Sequence, residues 1–421
     1  MTLNKGQALV LVLASLATQP SVEAAEGAIE SSLTQSTGTS QEQARGTAQT
    51  EFHFRQFSSL KDAILLYEAI QYSGDWRSFA PGPSLKAGER HAQVALLRGQ
   101  LALLGDLPPQ TLYQKGSQYF DKPLETALKR FQKRHSIKAD GVLGPQTRRE
   151  LNVPPWQRVD QLVLNSYRQE QLHPSAENYL HVNLPEYRLR LYHQGEVKLD
   201  MRTVVGKPDR QTPVFSSVVN RVVVNPDWNV PKSIAYRDIL PKLQRDPGFL
   251  EKRNLRVLSG WSEPQVEVAR ENVDFAQMYL GKTYYRFWEP PGRSNTLGRV
   301  KFQLSSDNSI YLHDTRDKHL FGAEKRAFSS GCIRLENPRG LADALVQLSN
   351  RWSPDMLDPL FEQDETIKLK LLEPVPVYVT YWTAWLDEGG TLKFASDFYE
   401  RDAADFEVYR ALHQQVGMLE N

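Results

Sequence analysis

Between residues 52 and 107 apolar positions recur at helical spacing. Leu60, Ile64, Leu65 and Tyr67 mark one stretch, and Ala92, Val94, Leu96, Leu97 and Leu101 a second. Such spacing gathers side chains on one helical face. Pro81-Gly82-Pro83 separates the two stretches, as expected of residues that break helices. Leu124, Ala127, Leu128 and Phe131 form a third stripe. It is followed by the turn Ala139-Asp140-Gly141-Val142-Leu143-Gly144-Pro145 and a short helix over 146–151. From Asn178 the period changes to two. Residues 179–184 and 187–192 alternate, His193-Gln194-Gly195-Glu196 supplies a turn, and 197–205 and 216–224 continue as strands. Alternation puts every second side chain on one sheet face. The strands stop at Asn225-Pro226-Asp227-Trp228-Asn229-Val230-Pro231. A helix-rich stretch follows, with Ile234, Ile239, Leu240 and Leu243 on one face. Strands resume at 299–302 and 309–313, a helix is expected over 337–348, and strands return at 376–381 and 392–394. Residues 403–419 read as a terminal helix. The pattern predicts an α+β, multidomain chain. A helical scaffold precedes a β-rich domain, which an inserted, helix-rich subdomain interrupts.

Composition narrows the class. The chain has 421 residues, enough for two or three domains by the usual size of roughly 100–200 residues each. Hydrophobic content of 40% and charged content of 24% fit a globular protein. A net charge of +1 offers no bulk attraction for nucleic acid and no polybasic anchor. At the N-terminus Lys5, the apolar run 8–17 and Val22-Glu23-Ala24-Ala25 read as a secretory signal with cleavage near Ala24. The polar tract behind it reads as a disordered tether. No later run has the ~18 apolar residues of a spanning helix. Export to the periplasm is therefore expected.

The chemistry centres on Cys332, the single cysteine. Exported proteins use cysteines in pairs for disulfides, and a lone exported thiol is an oxidation liability. A buried inert thiol is the bland reading; a nucleophile is the sharper one. Cys332 lies in Ser329-Ser330-Gly331-Cys332-Ile333-Arg334, between a strand and a helix. A turn there can present backbone N–H groups to an oxyanion. Upstream, Ile310-Tyr311-Leu312-His313-Asp314-Thr315 delivers a histidine. Thiol and imidazole suggest a nucleophile–base pair, with the thiol's pKa lowered so that thiolate is available near neutral pH. Asp314 is adjacent, but neighbours on a strand point to opposite faces, so it receives no triad role. Gly331 and Cys332 are the candidate oxyanion donors, and Tyr311, on the His313 face, is a third candidate with core packing as its alternative. Arg334 suits a substrate carboxylate or a structural ion pair with Glu336. Trp228 and Ser330 are candidate groove residues, Trp228 with core packing as its alternative. The nine histidines are scattered; no metal site and no cofactor is implied.

Two resemblances give these residues a context. The wording FQKRHSIKADGVLGPQTRREL resembles the type 1 peptidoglycan-binding domain, a three-helix module. His313 with Ser329-Ser330-Gly331-Cys332-Ile333-Arg334 resembles the signature of the L,D-transpeptidases, the YkuD domain. Val205-Gly206-Lys207, Asn225-Pro226 with Trp228, and Leu297-Gly298-Arg299-Val300-Lys301-Phe302 resemble its large Gram-negative subgroup typified by YcbB. The resemblance implies a division into 1–24 signal peptide, 25–51 linker, 52–107 scaffold, 108–154 peptidoglycan-binding module and 155–176 scaffold. It continues with 177–372 as the catalytic domain, an inserted helical capping subdomain at 231–295, and 373–421 as C-terminal strands and tail. It implies a cysteine thioester with a donor stem tetrapeptide and a 3→3 peptidoglycan cross-link. His313 would be the base, the sacculus and stem peptides the partners, and carbapenem-type compounds inhibitors. Other cell-wall synthesis proteins are further candidate partners. An L,D-carboxypeptidase, a lipoprotein-attaching or lipoprotein-releasing enzyme, and an inactive wall-binding scaffold are the alternative readings. The insertion, placed between Trp228 and His313, is expected to act as a lid.

Overall fold

The computed structural model describes residues 55–108, 116–172, 174, 176–260, 266–305, 310–349 and 353–419. The expected signal peptide and linker lie outside the described residues. Five helices open the fold: α1 (Leu60–Ser73), α2 (Ala92–Leu103), α3 (Lys122–Arg134), α4 (Pro145–Leu151) and α5 (Pro155–Glu170). Local chemistry sets their ends. Ser59 and Asp62 form a reciprocal capping box at the start of α1, which closes on Gly74 at φ 65°. Asp121 caps α3 through the Leu124 N–H and also pairs with Arg98 at 2.9 Å.

The β-rich part follows. Its strands are β1 (Asn178–Asn183), β2 (Arg188–His193), β3 (Glu196–Gly206) and β4 (Phe215–Val224). Next come three strands of the cap, β5 (Trp228–Asn229), β6 (Arg256–Ser259) and β7 (Tyr285–Glu289). The main sheet resumes with β8 (Val300–Leu304), β9 (Leu312–His313), β10 (Ala327–Ser329), β11 (Ile333–Leu335) and β12 (Ile367–Thr380). The hairpin β13 (Ala384–Leu386) and β14 (Leu392–Phe394) and the helix Asp402–Leu419 end the chain. The main sheet has nine strands in the order β10-β3-β11-β9-β8-β4-β12-β1-β2, and β2 also pairs with β3. That last ladder closes β3, β11, β9, β8, β4, β12, β1 and β2 into a ring, with the short β10 left as an edge alongside β3. Its core includes Leu180, Leu189, Val222, Phe302, Leu312, Ile333 and Val377, covered by Leu341, Leu345 and Val346 of the helix Pro338–Leu348.

Three expectations change. The C-terminal strand expected at 376–381 begins at Ile367 and is no appendage: β12 pairs with β4 on one side and β1 on the other. Its alternating apolar residues were legible, but membership of the sheet is a matter of long-range pairing. The cap is mixed, not purely helical. Short helices surround the three-stranded sheet β5-β7-β6, with its own core of Trp228, Ile239, Leu240, Leu250, Val257 and Phe287. Strands of two to five residues are too short to show a period in sequence. Third, the strand expected from 309 to 313 is confined to Leu312–His313, and Ser309 lies outside the described residues.

The small helical module is not an independent body either. Leu124, Leu128, Phe131 and Leu151 share one core with Leu60, Tyr67 and Leu97 of the scaffold and with Ala384, Leu392 and Phe394 of the terminal hairpin. Phe394 stacks on His135 at 5.0 Å, meets Tyr67 edge-on at 6.0 Å, and lies under the Arg158 guanidinium at 4.5 Å. Asn165 of α5 completes the join: its amide donates to Thr383 Oγ1 and accepts from Thr383 N–H, both at 2.8 Å.

A buried ion pair ties α2 to α3. Arg134 grips Asp106 with two parallel hydrogen bonds of 3.0 and 2.8 Å, and the Asp106 side chain is fully buried. Removing one partner leaves a buried charge unmatched. Asp106→Ala should therefore destabilise the helical part by about 3–5 kcal/mol, read as a lower urea midpoint by circular dichroism. Asp106→Ala paired with Arg134→Met should recover much of that loss.

Candidate active site

Alternation along β8 and β9 sorts the side chains around the candidate base. Val300, Phe302, Leu304 and Leu312 point into the sheet core. Lys301, Tyr311 and His313 are left for the opposite face. In the ladders Lys301 stands across from His313 on one side and Arg334 across from it on the other. His313 is thus flanked by two cations in one row across three strands. Tyr311 shares the face: its ring meets the His313 ring edge-on at 5.4 Å, and Lys301 Nζ lies 4.1 Å from its centroid.

Cys332 sits just before β11, where Ile333 N–H donates to Tyr311 O at 3.1 Å. The loop that carries it is tightly held. Ser329 Oγ donates to Cys332 O at 2.6 Å and accepts from Gly331 N–H at 3.1 Å. Thr212 Oγ1 donates to Gly331 O at 2.8 Å, and Tyr399 OH accepts from Thr212 N–H at 3.1 Å. Gly331 has φ +119°, and a Cβ there would lie 3.2 Å from Ile310 Cδ1. Only glycine adopts that conformation without strain. The bonding also corrects one expectation: the Gly331 N–H is already given to Ser329 and is not available to an oxyanion in this arrangement.

Cys332, His313, Tyr311, Arg334, Trp228 and Ser330 line one cavity of about 380 Å³. The cap supplies its other wall, including Ile234, Asp238, Ile239, Phe249 and Arg253. All the sequence-picked side chains therefore come together, with differences of detail. Trp228 is buried in the cap core and still borders the cavity. Ser330 is exposed and accepts from Arg210 Nη1 at 3.0 Å. Arg334 pairs with Asp317 at 3.1 Å, not with Glu336, which Arg202 holds instead. Asp314 stays out of the His313 ring's reach as expected. Its carboxylate accepts from Arg299 N–H at 2.8 Å and pairs with Lys318.

The electrostatics differ from the expectation at the thiol. Burial pushes the Cys332 pKa up, and this outweighs the backbone and hydroxyl of Tyr311 and the charges of Lys301 and Arg334, all of which act to lower it. The thiol is thus protonated, not a standing thiolate, near neutral pH. His313 moves the other way. Burial, then the Arg334 charge, bring its pKa down to about 3, against a small opposing pull from the Asp314 and Leu297 backbones. Nδ1 is buried without a hydrogen bond of normal geometry among the described residues. The ring is therefore neutral, the form that can accept a proton. Tyr311 is held far into its protonated form, by burial first and second because its ionised form would lie beside the Cys332 sulfur.

Residues 177–354 match the family described as "L,D-transpeptidase catalytic domain", YkuD, which spans this row, the thiol and the cap. These residues are an L,D-transpeptidase catalytic domain. Residues 90–151 match the family described as "Putative peptidoglycan binding domain". That match starts upstream of the expected boundary at 108 and takes in α2, so the helices of the module are α2, α3 and α4. A "Putative L,D-transpeptidase" of Haemophilus influenzae is 32% identical over 258 residues, 61% of this chain and 50% of that protein. The chain thus spans about half the length of this curated relative. Among solved structures, an L,D-transpeptidase of Stackebrandtia nassauensis aligns at 16% identity and a TM-score of 0.25, covering 72% of this chain and 97% of its own. One from Xylanimonas cellulosilytica aligns at 13% identity and a TM-score of 0.22, covering 72% and 100%.

Sequence reasoning passed over Lys301, Arg210, Asp238 and Arg253. Lys301 had a signal: it alternates with Val300 and Phe302, so it had to share the His313 face. Arg210 reaches the site from the loop after β3, pairing with Asp238 of the cap at 2.5 Å. Asp238 lies in a π-helical stretch, Ala235–Ile239, a distortion frequent at functional sites. No local pattern marks that contact.

The two pKa directions predict the pH response. Thiolate fraction should climb about tenfold per pH unit below the thiol's pKa. Alkylation of Cys332 by iodoacetamide, followed by mass spectrometry, should accelerate about tenfold per pH unit, roughly a hundredfold from pH 6 to pH 8, without a plateau. No inflection is expected near 6.5, because His313 carries no proton to lose there.

Proposed function

We propose that this protein is an extracytoplasmic L,D-transpeptidase that forms 3→3 cross-links between peptidoglycan stem peptides. The observation that carries the reading is the shared cavity: a neutral, buried imidazole and the chain's only thiol line one space roofed by the cap. A protonated thiol and a neutral base call for proton transfer during attack, not before it. Cys332 Sγ attacks the carbonyl joining the third residue of the donor to its terminal D-alanine. Its proton passes to His313 and onward to the departing amine. The C–N bond breaks, D-alanine leaves, and a thioester remains. The side-chain amine of a neighbouring stem then attacks the thioester and gives its proton to His313. The new amide forms and the thiol is restored. Tyr311, whose hydroxyl stays protonated and close to the thiol, is a donor for the oxyanion of each tetrahedral intermediate, together with the Cys332 backbone. The module at 90–151 would hold the chain at its polymeric substrate.

An exported enzyme needs an address, and the N-terminal pattern supplies one. No helix among the described residues is long and apolar enough to cross a membrane. Protein recovered from the periplasm should therefore have a mass starting near residue 25, not at Met1.

The cap, 231–295, is a lid in this reading. Its ties to the sheet domain include Arg210 to Asp238 and Arg316 to Glu289. Hydrogen exchange should slow within the cap when a donor analogue is bound. Protection confined to the Cys332 loop would refute the gating.

The decisive assay is the mass of the protein after incubation with a carbapenem or an activated donor. One acyl adduct is expected, lost in Cys332→Ala. His313→Ala should slow acylation by about 10²–10⁴-fold. An adduct that persists in Cys332→Ala would place the nucleophile elsewhere. Products from defined tetrapeptides separate the cross-linking reaction from hydrolysis.

A further inference from the structure

The acids around the cavity are matched to arginines, and among the described residues one arginine of its lining is left over; Lys207 and Lys242 also border the cavity without an ion pair, as point charges on flexible stems. Arg334 takes Asp317 at 3.1 Å. Arg210 takes Asp238. Arg316 takes Glu289, a cap carboxylate that is 1% exposed, at 3.7 Å, and also donates to Ser294 O at 2.8 Å. Arg253 follows the short cap helix Phe249–Lys252 and borders the same cavity as Cys332. Its guanidinium makes no ion pair or hydrogen bond among the described residues, although it is half-buried. Asp317 and Glu289 lie near enough to favour its charge, but each has its own arginine partner. Burial weighs most against that charge, and the charges of Arg316 and Arg334 add to the cost. The Arg253 pKa consequently falls below the usual arginine value.

A guanidinium held in this way is costly to the free protein unless something else repays it. Its planar fork suits a carboxylate. The carboxylate must come from outside the chain, because the acids of the cavity wall are taken. It must also come from within the cavity, since that is what the residue borders. Arg334 faces the same space from the sheet, so a ligand between them meets one arginine from the cap and one from β11.

We propose that Arg253 is a specificity-determining residue, a carboxylate subsite on the cap that reads a free carboxylate of the donor peptide outside the bond Cys332 attacks. This rests on the donor-peptide reading above. The third residue of the stem peptide is the natural candidate. A diamino dicarboxylic acid there keeps a free side-chain carboxylate after its other carboxyl has entered the scissile bond. A donor of this kind spans cap and sheet, so recognising it and closing the cap become one event. Amidation of that carboxylate keeps the shape and removes the charge.

The test uses the full chain and two soluble tetrapeptide donors. One carries a free side-chain carboxylate on its third residue, and the other has that group amidated. Acylation is followed at varied donor concentration in the native protein, Arg253→Gln and Arg253→Lys. A charge-assisted pair in a partly closed site should make amidation raise the native KM about 10–100-fold. Arg253→Gln should raise KM for the acid donor by a similar factor, and the two changes should not add: amidation should then cost Arg253→Gln less than about threefold. Arg253→Lys should recover part of the preference, as a point charge without the fork. Equal weakening of both donors by Arg253→Gln, or no preference in the native protein, would overturn the proposal. Absence of turnover with either donor would instead sink the transpeptidase reading. Calorimetric binding of the same peptides to Cys332→Ala then decides the subsite alone. A preference for the acid peptide that Arg253→Gln abolishes in that background supports it, and equal affinities refute it.

Discussion

The strand register at β8, β9 and β11 is the constraint on which the site depends. Phe302, Leu312 and Ile333 stand in one row and face the core. Lys301, His313 and Arg334 stand in the next row, on the opposite face, and His313 and Arg334 line the cavity. A slip of one residue in any of these ladders would bury the cations and expose the core. The apolar row therefore enforces the polar one. The His313 position is secured by packing on the far side of the sheet, with no carboxylate among the described residues hydrogen-bonded to its Nδ1.

That arrangement explains an unusual division of charge. Burial and the neighbouring Arg334 empty His313 of its proton, while burial keeps the proton on Cys332. Both effects come from removing charge from water. In a resting ion pair the imidazole would be charged and the thiol ionised, and neither holds here. Tyr311 links the two groups: its backbone and hydroxyl contact the thiol, and its ring abuts the imidazole. In the proposed reaction the cations Lys301 and Arg334, whose charges act to lower the thiol pKa, would stabilise negative charge developing on sulfur, although they do not hold it there beforehand.

The cap and the helical module attach to this centre differently. The cap has its own core and meets the sheet domain partly through ion pairs such as Arg210 with Asp238. Polar contacts of that type can be exchanged for substrate contacts at small net cost. The module is joined through a continuous apolar core with α1, α5 and the terminal hairpin. Phe394, from the far end of the chain, is wedged among Tyr67, His135 and Arg158. Parting these elements would expose that core, so the helical part behaves as a single piece with the hairpin.

Much of this was legible locally. Helical spacing located α1 to α4, alternation located β1 to β4 and β8, and the lone Cys332 with His313 singled out a candidate pair that the fold brings to one cavity. Tyr311 was placed by its two-residue offset from His313, and Asp314 was excluded by the same parity. These properties depend only on side-chain period and residue type. The rest required partners distant in sequence. Lys301 becomes a site residue only when β8 pairs with β9, and β12 joins the sheet only by pairing with β4 and β1. Arg334 finds Asp317 because the chain after His313 folds back on it, whereas its sequence neighbour Glu336 goes to Arg202. The raised thiol pKa and the unpaired Arg253 are likewise properties of an enclosure built from both cap and sheet. Sequence by itself determined which residues are the candidates for the chemistry. Burial and long-range pairing, which exist only in the folded chain, decided their protonation and their partners.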